Sequence, residues 1–114
     1  MYAGLALRYA LVAAASMWSA SAVSAASPQQ LYATTCAACH GPAAHGNPAL
    51  GAPALAGQSA AYLERQIADF RAGLRGANPK DTYGRQMAMM SKTLPKDSDL
   101  PDLIAFIQAQ GAAK

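Results

Sequence analysis

Cys36, Cys39 and His40 stand together in the run Cys36-Ala37-Ala38-Cys39-His40. Two cysteines three residues apart share one face of a helical turn. Thiols so placed can reach the two vinyl groups along one edge of a porphyrin and form thioethers, and a C-x-x-C-H run is the attachment signature of c-type haem. His40 then stands beneath the ring and can offer an imidazole nitrogen to iron. The sequence holds no other cysteine, so neither thiol has a partner elsewhere in the chain.

Two other chemistries use a C-x-x-C pair. A redox-active disulfide would open a helix after a strand in a βαβ pattern. A structural zinc site would need four ligands, and beyond Cys36, Cys39 and His40 the chain offers only the distant His45. Neither explains a histidine directly after the second cysteine. His45 lies in a glycine- and proline-rich stretch and reads as a solvated surface residue. The remaining question for a haem iron is its sixth position. A methionine or second histidine would fill it, whereas an open position would permit gas binding or peroxide chemistry. Met87, Met89 and Met90 cluster far along the chain from His40. Methionine also fills irregular gaps in cores, so two of the three read as packing and one as an iron ligand.

The elements that must position these groups read as helices. Residues 27–114 contain no valine, and isoleucine occurs there only at Ile67, Ile104 and Ile107. No stretch shows the alternation of a strand, so the fold class is all-α. Ser27-Pro28 reads as a cap followed by proline at the first helical position. The helix it opens runs from Gln29 to about Ala38, turns Leu31 and Tyr32 inward, carries the haem motif at its end and stops at Gly41-Pro42. Residues 41–57 form a loop dense in glycine and proline. Ser59 caps a second helix, Ala60 to about Ala72, with an apolar stripe of Leu63, Ile67, Phe70 and Leu74. Residues 78–96 read as less regular and hold Tyr83, Arg85 and the methionines. Asp97 or Ser98 caps a last helix through Gln110, with Leu100, Leu103, Ile104 and Ile107 on its inner face and Phe106 beside them. No internal repeat and no second haem motif is present.

The first 26 residues read as a separate segment. Arg8 precedes an apolar run, Tyr9 to Trp18, and small residues follow, the order of a secretory signal peptide cleaved after Ala25 or Ala26. The run is too short and too rich in serine for a membrane span. Removal of residues 1–26 leaves a domain of residues 27–114, small for an independent core, and chains of this size usually need a metal, disulfide or cofactor to hold them together. The chain has 114 residues and a formal net charge of +3; losing Arg8 lowers that charge by one, and two haem propionates would roughly cancel the rest. No run of lysine or arginine points to nucleic acid. Export places the chain in an oxidising compartment, where a lone cysteine pair would otherwise close into a disulfide.

Several stretches together resemble a class I c-type cytochrome. They are Cys36 to His40, the run Pro53-Ala54-Leu55-Ala56-Gly57-Gln58 followed by Tyr62-Leu63, the methionine segment, and the closing amphipathic helix. More narrowly, nearly all of residues 27–114 resembles one half of the tandem two-haem periplasmic cytochromes c and their single-haem relatives. The resemblance implies three or more helices around one covalently bound haem c. It implies His40 as the proximal iron ligand and Pro53 as the carbonyl that accepts its ring N–H. It implies a distal methionine seven residues before Leu94, which is Met87. The connection from Leu94 to Leu100 is one residue longer than usual, so Met89 follows as the alternative and Met90 third. Tyr62 and Arg85 resemble residues near the haem and its propionates. The implied function is that of a periplasmic electron carrier, not an enzyme, serving a periplasmic or membrane dehydrogenase or oxidase. An open-site haem sensor or peroxide-reactive enzyme, and a thiol–disulfide oxidoreductase, are the alternatives.

Overall fold

The computed structural model describes residues 14–20, 26–95 and 99–111. Among these residues five α-helices follow one another: α1 Pro28–Thr35, α2 Ala37–His40, α3 Ala60–Ala72, α4 Thr82–Ser91 and α5 Leu100–Ala109. Among the described residues the only β feature is an isolated bridge between Asn47 and Ala52. Most of the proposed leader, including Ala25, lies outside the described residues; the alternative cleavage residue, Ala26, is described and exposed. Residues 14–20 carry no regular structure, and Met17 and Trp18 are exposed. No described helix is long and apolar enough to cross a membrane.

The start of α1 follows from its cap. The Ser27 hydroxyl accepts the Gln30 N–H at 3.2 Å, and the Gln30 side chain accepts the Ser27 N–H at 3.0 Å, which closes a capping box. Pro28 occupies the first turn, where no N–H is needed. The helix does not run unbroken to Ala38 as expected. Cys36 interrupts it, ending α1 and opening α2. Its N–H still bonds Tyr32 O at 2.9 Å, and its carbonyl accepts the His40 N–H at 2.9 Å, so the two short helices stay continuous through the cysteine.

Ser59 caps α3 through the Tyr62 N–H at 3.1 Å. Gly73, in the left-handed conformation, ends it. That turn redirects the chain before Leu74, which is 79% exposed and does not extend the stripe of Leu63, Ile67 and Phe70 as expected. Residues 82–91, read from sequence as irregular, form α4. Asp81 caps it, its carboxylate accepting the Gly84 N–H at 2.9 Å. The expected caps Asp97 and Ser98 of the last helix lie outside the described residues; Asp99 occupies the cap position of α5.

Tyr32, Leu63, Leu94, Leu100, Leu103, Ile104 and Ile107 form the core with Ala44 and Ala56. Helix α5 is its spine, packed on α1 and α3. Tyr32 and Phe106 join α1 to α5 with ring centroids 5.6 Å apart at 48°, a tilted pair of the kind aromatic quadrupoles favour.

Candidate functional site

The loop after α2 is a hydrogen-bonded frame around His40. The Gly46 N–H bonds His40 O at 2.8 Å, Asn47 and Ala52 exchange bonds at 2.8 and 3.1 Å, and Ala44 O accepts from Leu55 and Ala56 at 2.9 and 3.0 Å. Tyr32 anchors the frame to α1 by donating its hydroxyl to Gly41 O at 2.7 Å. Gly46 is the tightest point. Its φ is +83°, and a Cβ there would lie 2.7 Å from Ala54 N and 2.8 Å from Ala52 O. Only glycine combines that backbone with that approach.

The frame delivers one carbonyl to the imidazole. His40 is 7% exposed, and its Nδ1 lies 2.8 Å from Pro53 O. A carbonyl can only accept, so the neutral ring carries its proton on Nδ1. Nε2 is left with its lone pair, the state a metal requires. Cys36 and Cys39 form no disulfide. Burial pushes the Cys36 thiol up to about 11, because a thiolate loses hydration there. Tyr32 is pushed up to about 12 by burial first and by the nearby Cys36 second, against a lowering contact from the Ala44 backbone.

Cys36, Cys39, His40 and Pro53, but not Tyr32, border a cavity of about 440 Å³. Cys36, Cys39, His40 and Pro53 form one part of its lining; Leu63, Ile67 and Phe70 of α3 and Leu103, Ile104 and Ile107 of α5 form another. A well-packed interior leaves few voids larger than a water molecule, and this volume is in the range of small-molecule sites. An apolar slot, two thiols at one side and an imidazole with a free Nε2 together fit a covalently attached haem. The donor set lacks the further ligands that a zinc site would need; among the described residues no cluster of three or more His, Cys, Asp or Glu could hold a metal ion.

The methionines separate by helix geometry. Met87 and Met90 border the cavity, whereas Met89 does not and is 65% exposed. Positions three apart share a helix face and position 89 faces away, a distinction that could be drawn only once the segment is known to be helical. Tyr62 borders the cavity and is partly exposed. Arg85 does not border it; its guanidinium donates to Pro79 O at 3.4 Å. The arginine on the cavity is Arg75, which lies over the Phe70 ring at 4.7 Å and donates to the Gln66 side chain at 2.5 Å. His45 is exposed and off the cavity. Tyr83, noted in the sequence beside Arg85, does border the cavity. Arg75 was not singled out from sequence, and Gly46 only as one of the loop's glycines; nothing in a lone arginine or loop glycine distinguishes them before the helices are placed.

Comparison with known proteins agrees with this arrangement. The family model described as Cytochrome c matches residues 25–110. Cytochrome c4 of Azotobacter vinelandii is 39% identical over 80 residues, covering 68% of this chain and 37% of the relative. The chain thus spans well under half the length of that relative. The haem motif, the apolar slot beside it, the helical fold and the match over most of its length make this chain a member of the cytochrome c family, a class I c-type cytochrome whose cofactor is covalent haem c with its iron.

Proposed function

We propose that the chain is a periplasmic one-electron carrier whose haem iron is held by His40 and Met87. The observation that carries the reading is that Met87 borders the same cavity as His40, Cys36 and Cys39, while Met89 faces away; Met90 borders it too, and the family spacing to Leu94 favours Met87 over it. Haem iron supplies a ferric–ferrous couple that takes up or releases one electron. The chain's own residues set the terms of that exchange. Cys36 and Cys39 tether the ring through thioethers. Pro53 O fixes the orientation of His40 and makes its Nε2 a better donor. The Met87 thioether would hold the iron together with His40 and leave substrate no vacancy, and thioether ligation with burial would raise the reduction potential. Leu63, Ile67, Leu103 and Ile104 exclude water from the ring and keep reorganisation small.

In this reading residues 1–26 are a leader that directs export and residues 27–114 are the working domain. Partners are periplasmic or membrane redox proteins such as a dehydrogenase or an oxidase, met through a small transient contact. Carbon monoxide tests the closed site. The ferrous protein at neutral pH is expected to resist it; ready binding would favour an open-site sensor or peroxide-reactive enzyme instead.

A further inference from the structure

Helix α4 carries Met87 yet buries little. Its one buried residue is Ser91, a polar side chain with no accessible surface. Beside its packing on α3 and on the turn at Gly76, a hydrogen-bonded fork ties this helix down. Arg71, in the last turn of α3, donates from Nε to Ser91 O at 3.0 Å. One terminal nitrogen donates to Leu94 O at 3.3 Å and to Pro95 O at 3.0 Å.

The accounting of carbonyls shows why this side chain matters. At the end of α4 the Ala88 carbonyl accepts the Ser91 hydroxyl at 2.7 Å. Met89 O accepts the Lys92 N–H at 3.3 Å, and Met90 O accepts the Thr93 N–H at 2.9 Å. The Ser91 carbonyl comes next and takes the guanidinium. A helix end leaves such carbonyls unpaired, and a cation there also complements the helix dipole. Only the planar arginine fork serves acceptors on three residues from one rigid group. Arg71 sits next to Phe70, and α3 borders the cavity through Leu63, Ile67 and Phe70. The fork thus ties the methionine helix to a fixed wall.

We infer that Arg71 is the positioning residue for the distal sulfur, holding α4 against α3 so that the Met87 thioether stays on the iron. The inference rests on the reading of Met87 as ligand. It makes no contact with the reacting iron itself; its effect passes through the backbone of residues 91–95.

The test uses holoprotein of wild type, Arg71→Gln, Arg71→Lys and, as control, the exposed Arg65→Gln. Imidazole binding to the ferric form measures how readily the sulfur leaves. It is followed by loss of the weak red absorption that a thioether gives ferric haem. Losing charge-assisted hydrogen bonds should raise imidazole affinity by roughly tenfold or more in Arg71→Gln. Arg71→Lys should fall between, since an ammonium keeps the charge but not the fork. Arg65→Gln should match wild type. Wild-type imidazole affinity in both Arg71 variants, even with a lowered unfolding midpoint, would mean a merely structural role and overturn the inference. If Arg71→Gln does not retain haem, Arg71→Lys decides on the same reading. Absence of the red band from wild type would instead remove the Met87 ligand, and this inference with it.

Discussion

A single hydrogen bond prepares His40 for the ligand role proposed for it. Pro53 O accepts the Nδ1–H, and the lone pair is left on Nε2. The distal side depends in the same way on which methionine faces the cavity. Met87→Ala should abolish the red sulfur band, lower the reduction potential and admit carbon monoxide, while Met89→Ala should leave all three unchanged because Met89 is exposed off the cavity. Redox titration and gas binding of the two variants check this. Tyr32 gives a pH prediction. Its phenol is pushed up to about 12 from an ordinary 10.0, first by burial. The folded chain therefore holds this proton where the unfolded chain has released it. The stability so gained is fully present below pH 10.0 and is lost as pH rises through about 12. Thioether formation removes the Cys36 charge but leaves the burial. Ultraviolet titration of the ferric protein should show one tyrosine ionising late, and Tyr32→Phe should remove that step.

Among the elements, the loop between α2 and α3 is the part that a single methyl group would break. Gly46→Ala places a Cβ against the backbone of Ala52 and Ala54 at a positive φ. A cost of about 2–4 kcal/mol is expected, from left-handed strain plus displacement of the loop. Denaturant unfolding of the holoprotein would measure it. The Pro53 carbonyl should shift with the loop, so the iron potential should move as well. The elements also divide by how far they could be read in advance. Helices α1 and α3 announced themselves through Ser27-Pro28 and Ser59 and through apolar stripes. The inner face of α5 was equally plain. Helix α4 was not, because its apolar residues follow no clean period and its support comes from the Asp81 cap and the Arg71 fork. Missing that helix left Met87, Met89 and Met90 in competition, a choice that one helical turn resolves into two faces. Arg85 drew attention through family likeness, while the cavity arginine, Arg75, lies on the turn after Gly73 that also exposes Leu74.

For the whole molecule, the cavity predicts a fold that depends on its cofactor. Core residues Leu63, Leu103, Ile104 and Ile107 all border the cavity, where bound haem would pack against them. A domain this small has little other apolar surface to bury. The haem-free chain, prepared as Cys36→Ser with Cys39→Ser, should lose most of its helical circular dichroism at neutral pH, while the haem-loaded protein keeps it. The haem motif was legible because its chemistry demands adjacent residues. The Pro53 carbonyl that meets His40 was named only through the family resemblance, and the contacts of Arg71 with Ser91, Leu94 and Pro95 not at all, because these residues come together only after the chain has folded back on itself.

The most direct test of iron clasped between an imidazole and a thioether is the red absorption spectrum of the purified ferric protein beside its Met87→Ala variant. A sulfur band in the wild type that vanishes in the variant is the expected result. A wild-type spectrum without the band, or a band that survives the substitution, would contradict it.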